Sequence, residues 1–291
     1  MNVFLCIVIF LGIVRFLFIK KEAQERFAKY KTMVKVVDTS YGKVSYIDEG
    51  QGEKVLVCHG ICGGYDQAYD TLAKAENSYR ILAPSRFGYP GSDIPRDATI
   101  EMQVETFREL IDKLGIEKTY LLATSAGGAT AIKFALMYPE RTNGLVLYCS
   151  GYPALKESPK RITYAGPPAA ICNDFIMWLF CPLFKPLMGM EPETLKTILP
   201  MKPRRKGIVF DARVSNTVMV NECAEYDMSK LEVPVLIIHA KDDKMADFNN
   251  VEPWIVRIKD CTFIALDSGG HLMEGNSEKI DTAVERFIAR Q

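Results

Sequence analysis

Ser125 sits in the run Ala123-Thr124-Ser125-Ala126-Gly127-Gly128, with a short apolar stretch of strand length before it and an Ala-rich stretch with helical spacing after it. A residue held in a sharp strand-to-helix turn has a strained backbone, and its neighbours two before and two after must be very small. Ala123 and Gly127 meet that demand, so the run matches the nucleophile turn Gly-x-Ser-x-Gly with Ala in place of the first Gly. Such a turn also aims the N-terminus of the following helix at the serine. The free backbone N–H groups there can hold a developing negative charge. The chemistry this suggests is attack by a serine hydroxyl on a carbonyl.

Serine is a weak nucleophile unless a base takes its proton, and that base must be oriented by a third group. The chain has three histidines, His59, His239 and His271. In the chain order serine, acid, histidine that accompanies this kind of turn, the base lies near the C-terminus, which selects His271 in the loop Gly269-Gly270-His271. The acid is expected after the strand ending at His239, where Lys241-Asp242-Asp243-Lys244 supplies two adjacent carboxylates. Adjacent side chains point different ways, so one of the two reaches the imidazole; Asp247 and Asp267 are weaker candidates.

These residues must be carried by a scaffold, and the pattern supplies one. A hairpin is expected over 34–48 around Tyr41-Gly42, with strands at 54–58, 79–83, 119–123, 144–149, 233–239 and 262–266. Helices are expected at 65–75, 99–114, 126–138, 249–258 and 277–289. Alternation of this kind means an α/β protein, with a mostly parallel central sheet covered by helices on both faces. From 151 to 227 the alternation stops, in a stretch rich in Pro and bulky apolar residues that reads as a helical cap inserted into the fold. The expected organisation is an N-terminal anchor (1–20), a connector (21–33), the core (34–150 and 228–291) and the cap (151–227). Trp178 and Phe180 of the cap are expected to line an apolar acyl site.

Residues 2–19 form a hydrophobic stretch interrupted by Arg15, with basic residues following it rather than preceding it. The expectation is an uncleaved membrane anchor, with the catalytic domain on the cytoplasmic side. Lys plus Arg and Asp plus Glu both number 36, and this zero net charge gives no electrostatic case for nucleic acid. The eight cysteines are scattered without a C-x-x-C pair, so neither a disulfide framework nor a metal site is expected, and a reducing compartment is favoured. No cofactor is expected.

Taken together, His59-Gly60, Arg86-Phe87-Gly88-Tyr89-Pro90-Gly91-Ser92, the Ser125 turn, the run 233–243 and Gly269-Gly270-His271-Leu272 resemble the α/β-hydrolase fold superfamily, in its serine-nucleophile, esterase- and lipase-like branch. The resemblance covers nearly all of 34–291. It implies that the backbone N–H groups of Ile61 and Ala126 form the oxyanion hole. It further implies that Asp243 is the acid, Ala240 taking the Gly position of a Gly-x-x-Asp pattern, and that His59 braces the oxyanion loop. Ala123, Ala240 and Ser85 depart from the customary residues without removing a reacting group. The implied activity is hydrolysis of a small-molecule or lipid ester, such as an acylglycerol. The alternatives are C–C bond hydrolysis of a diketone-like acid, with Arg161 or Arg204 as cationic anchor, and a non-catalytic ligand-binding member of the fold.

Overall fold

The computed structural model describes residues 3–290, with side chains from Leu5 onward. Its short Val/Ile/Leu runs become eight strands: β1 (Lys35–Thr39), β2 (Gly42–Gly50), β3 (Glu53–Cys58), β4 (Tyr79–Pro84), β5 (Thr119–Thr124), β6 (Thr142–Tyr148), β7 (Val235–Ala240) and β8 (Cys261–Leu266). They form one sheet in the order β1-β2-β4-β3-β5-β6-β7-β8. The β1–β2 and β2–β4 pairs are antiparallel, and from β4 through β3 to β8 every pair is parallel. Parallel strands covered on both faces need no polar face. The inner strands are therefore continuous apolar runs, as in Val235-Leu236-Ile237-Ile238, which is wholly buried.

The strand order turns back at β3, which has β4 on one side and β5 on the other. At such a switch point the loops leaving two neighbouring strands diverge, and a crevice opens at their C-terminal ends. The loop after β3 carries His59-Gly60-Ile61 and the loop after β5 carries Ser125, so the topology sets these segments side by side.

In chain order the helices are α1 (Val3–Lys31), α2 (Tyr65–Asp70), α3 (Ile100–Lys113), α4 (Gly128–Met137), α5 (Asp174–Phe180), α6 (Phe184–Met188), α7 (Leu195–Ile198), α8 (Arg205–Phe210), α9 (Asn216–Asn221), α10 (Glu252–Ile255) and α11 (Ser277–Ala289). Helix α3 starts where the Thr99 hydroxyl accepts the Met102 N–H at 3.3 Å. It buries Ile100, Val104, Phe107, Leu110 and Ile111 along one face. Two helices are shorter than their patterns suggest. The 65–75 stretch breaks after Asp70 into a single turn over Ala73–Ala75, and Glu252–Ile255 is the α-helical part of 249–258.

Between β6 and β7 the chain forms five short α-helices, α5 to α9, and among the described residues no strand. The insertion touches loops at the C-terminal edge of the sheet directly. Its Gly207 N–H donates to the Gly88 carbonyl after β4 at 2.9 Å, and its Gly189 O accepts from the His271 N–H after β8 at 3.1 Å.

The expected membrane anchor is not borne out. Among the described residues no helix is long and apolar enough to cross a membrane. The apolar run from Val3 to Ile19 would rise about 25 Å against a hydrocarbon core of about 30 Å, and Arg15 interrupts it before Lys20, Lys21 and Glu22 end it. Positions 1 and 2, part of the expected anchor, lie outside the described residues. The membrane partner and the cytoplasmic placement of the domain, both inferred from that anchor, fall with it. What α1 does instead is dock by its C-terminal half. Ala23 is buried, Arg26 pairs with Asp66 at 3.0 Å and also with Asp70, and Phe27 stacks on Tyr65. Further up, the apolar side chains from Leu5 to Leu11 are largely exposed.

Candidate active site

Ser125 leaves β5 with φ 49°, a left-handed conformation that side chains other than Gly rarely adopt. The turn Ser125–Gly127 then feeds directly into α4. The size limits on its neighbours are visible. A Cβ on Gly127 would collide with the Cys58 carbonyl of β3, and one on Gly128 would stand 3.0 Å from the Ser150 Cβ. Ala123 is accommodated with full burial, which explains why Ala serves where Gly is customary.

His271 and Asp243 arrive at this turn from the C-terminal ends of β8 and β7. The His271 Nε2 is 2.9 Å from Ser125 Oγ, and its Nδ1 is 2.9 and 3.0 Å from the two Asp243 oxygens. With Nδ1–H donating to the carboxylate, Nε2 is left to accept the serine proton. Burial by itself raises the Asp243 pKa, but hydrogen bonds from His239 and His271 outweigh it and hold the carboxyl well below the usual range. Asp243 Oδ1 also accepts the Met245 and Ala246 N–H groups at 2.7 and 3.0 Å. His239, whose Nε2 lies 2.8 Å from Ala246 O and 3.4 Å from Asp243 Oδ2, is a second imidazole on the same carboxylate.

The remaining acidic candidates lie elsewhere. Asp242 turns away from the imidazole and accepts the Gly270 and Gly269 N–H groups at 2.9 and 3.3 Å, so it holds the loop that carries His271. Asp247 accepts the Asn249 N–H at 3.0 Å, and Asp267 pairs with Lys241 at 2.6 Å on the surface. Gly270 has φ 60°, and a Cβ there would collide with Gly189 O of the insertion. Gly270→Ala is therefore expected to displace His271 and lower kcat at least about 10²-fold, a loss that misplacing a reacting group by about 1 Å can cause. Steady-state kinetics on a protein with unchanged circular dichroism checks this.

On the other side of Ser125 lies the turn Gly60–Gly63. A Cβ on Gly60 would sit 3.2 Å from the Ser125 Cβ, so the Gly60–Ile61 peptide lies against the serine. Its carbonyl accepts three donors: His59 Nδ1–H at 2.8 Å, Gly63 N–H at 3.2 Å and Arg86 Nη2–H at 3.3 Å. His59 Nε2 in turn accepts the Arg86 N–H at 3.0 Å. Burial first, and the Arg86 charge second, lower the His59 pKa well below the ordinary value, so the ring is neutral and fixed in this tautomer. Burial would lower the Arg86 pKa, but Asp211 of the insertion raises it above the ordinary value. That pair is fully buried at 2.5 and 2.6 Å, with Tyr89 and Ser215 hydroxyls donating to Asp211 at 2.5 and 2.7 Å. Removing one partner of such a pair costs about 3–5 kcal/mol.

Trp178 and Phe180, the expected acyl-site residues, lie on α5 of the insertion. Trp178 packs on α1, with its ring centroid 5.4 Å from that of Phe16 and its edge against Gly12, and Phe180 is 43% exposed. Aromatic residues at helical spacing serve here to seat α1 on α5. Trp178→Ala is expected to lower stability by about 1–2 kcal/mol, less than the loss of a fully buried ring. Its effect on esters of different chain length should be uniform, which paired denaturation and kinetic measurements would check. Cys149, His239 and Asp243 bring possible metal-ligand atoms within 4.8 Å of one another. Their donors are committed otherwise: burial raises the Cys149 thiol pKa, His239 Nε2–H is held by Ala246 O, and Asp243 holds His271.

A family model described as the alpha/beta hydrolase fold matches residues 54–171. An uncharacterized hydrolase of Bacillus subtilis, YcgS, is 26% identical over 282 residues, 87% of this chain and 96% of the relative. A 2-hydroxy-6-oxo-6-phenylhexa-2,4-dienoate hydrolase of Burkholderia cepacia is 32% identical over 158 residues, 52% of this chain; the chain thus spans only 50% of that relative's length. Among solved structures, the carboxylesterase CesB of Bacillus subtilis superposes with a TM-score of 0.71 at 18% identity, covering 93% of this chain and 99% of that one. The parallel sheet with its switch point, the strained serine turn after β5 and these similarities agree: the chain has the α/β-hydrolase fold, and residues 54–171 match that family's model.

Proposed function

We propose that the protein is a serine hydrolase that cleaves carboxylic esters with uncharged, apolar acyl groups through an acyl-enzyme on Ser125. The observation that carries this reading is the continuous chain Ser125 Oγ, His271, Asp243, with the serine at a positive φ against the start of α4. His271 Nε2 takes the Ser125 proton as Oγ attacks the ester carbonyl, and ionised Asp243 stabilises the imidazolium. The Ile61 and Ala126 N–H groups hold the oxyanion, each such donor being worth about 3–4 kcal/mol. The imidazolium then protonates the leaving alcohol. Water, deprotonated by His271, attacks the acyl-enzyme and releases the carboxylic acid and free Ser125. An intact reacting set of this kind also argues against a purely ligand-binding role.

The second reading, C–C bond hydrolysis of a diketone-like acid, is favoured by the similarity to the Burkholderia dienoate hydrolase. Such an acid needs a cation for its carboxylate, because an unpaired buried charge is costly. Neither residue considered for that task fits it. Arg204 is fully buried on Asp66 at 2.8 Å, and Arg161 lies on the surface beside Glu222. Arg86 is likewise neutralised by Asp211. The test sets p-nitrophenyl esters of graded chain length beside a 2-hydroxy-6-oxo-dienoate. Ester turnover with kcat/KM at least about 10²-fold above that of the dienoate supports the ester reading; faster turnover of the dienoate replaces it with the second.

A further inference from the structure

We infer that Asp211, in the insertion, is a positioning residue for the oxyanion hole, acting through Arg86 on the peptide that joins Gly60 to Ile61. This rests on the ester-hydrolase reading and adds a residue to its machinery. A peptide unit is planar and trans, so its carbonyl oxygen and its N–H point in opposite directions. Fixing Gly60 O therefore fixes the direction of the Ile61 N–H. Three donors hold that oxygen, two of them side chains that meet at Arg86: its own Nη2, and the His59 ring whose Nε2 is held by the Arg86 N–H. The Arg86 Nε also donates to His59 O at 2.9 Å, so the guanidinium spans both carbonyls of the loop.

What holds the guanidinium is Asp211. Both carboxylate oxygens face it, at 2.5 and 2.6 Å, in the fork arrangement that fixes a plane as well as a distance. Asp211 lies 125 residues along the chain, in the widened turn Asp211–Ser215 between α8 and α9. That turn departs from the regular α-helix spacing and presents Asp211 and Ser215 to the same point, where the Ser215 and Tyr89 hydroxyls donate to the remaining lone pairs. A neighbouring loop of the insertion closes the arrangement, since a Cβ on Gly166 would sit 2.6 Å from the Ala212 Cβ and 3.6 Å from Ile61 Cδ1. The insertion is thereby coupled to the N–H that receives negative charge. Without the carboxylate the guanidinium loses its fixed plane and the Gly60–Ile61 peptide becomes free to rotate.

The test compares a p-nitrophenyl ester with its thionoester, in which sulfur replaces the carbonyl oxygen. Sulfur accepts hydrogen bonds weakly, so a correctly aimed hole speeds the ester far more than the thionoester. Asp211→Asn is expected to lower kcat for the ester about 10²-fold, the scale of losing one such donor, and for the thionoester less than about tenfold. KM should change little. A merely structural role would lower both substrates by the same factor. Because Asn leaves Arg86 buried without its counter-charge, Arg86→Met/Asp211→Leu serves as the second variant: it removes both charges and keeps a packed interior. A folded form of either variant with the wild-type ester-to-thionoester ratio overturns the proposal. Ester turnover that persists in Ser125→Ala would instead overturn the functional reading on which it rests.

Discussion

Ser125→Ala is expected to lower ester hydrolysis by about 10⁶-fold in kcat, the loss seen when the nucleophile of such a set is removed. Stability should be little changed. Ala123, Ala126 and Gly127 around Ser125 are small, and Ala fits the same turn with the same backbone strain. The hydroxyl's partner, His271 Nε2, faces a half-buried site and can turn to solvent when the hydroxyl is gone. Thermal unfolding alongside initial-rate measurements on a short-chain ester distinguishes loss of chemistry from loss of fold. A residual rate within tenfold of the wild type would remove Ser125 from the mechanism.

The two adjacent carboxylates give the second large effect, because the fold assigns them different jobs. Asp243→Asn should lower kcat about 10⁴-fold, since an amide can donate to the imidazole and favour the wrong tautomer, and it cannot stabilise the imidazolium. Asp242→Asn retains an oxygen that can accept from Gly270 N–H, and should cost no more than about tenfold. The variants also differ in stability. The Asp243 pKa is depressed in the folded protein, so its contribution is fully present above the unfolded carboxylate pKa near 4 and is lost as pH falls through the lower folded value. Near neutral pH, Asp243→Asn should therefore unfold at a lower temperature than the wild type, and the gap should close in strong acid. Equal kinetic losses for the two variants, or the reverse order, would move the role to Asp242.

How much of this was legible beforehand depended on whether a residue's task leaves a local trace. The strands were readable because burial on both faces makes them uninterrupted apolar runs, and Ser125 because a strained turn demands small neighbours within two residues. His271 could be selected from three histidines by chain order. Asp242 and Asp243 could not be separated from spacing alone, since which carboxylate faces the imidazole is set by how the loop after β7 turns. The Asp211–Arg86 pair and the Gly189 carbonyl on His271 join residues far apart in sequence and inside an irregular insertion, where no period marks them. His239 carries a faint signal, four residues before Asp243 at the end of β7. The bulky run around Trp178 is compatible with an acyl site and with helix packing, and the contact with Phe16 supports packing. At the N-terminus, hydropathy alone suggested a span, whereas Arg15 and the docking of Arg26 on Asp66 and Asp70 leave too short an apolar stretch.

The most direct test of the acyl-enzyme claim is to label the purified full chain with a fluorophosphonate and map the adduct by tandem mass spectrometry. One phosphonate per chain is expected, on Ser125, with parallel loss of ester hydrolysis and no adduct in the Ser125→Ala variant. Undiminished hydrolysis with no adduct on Ser125, or an adduct on another residue that tracks the loss of activity, would contradict it.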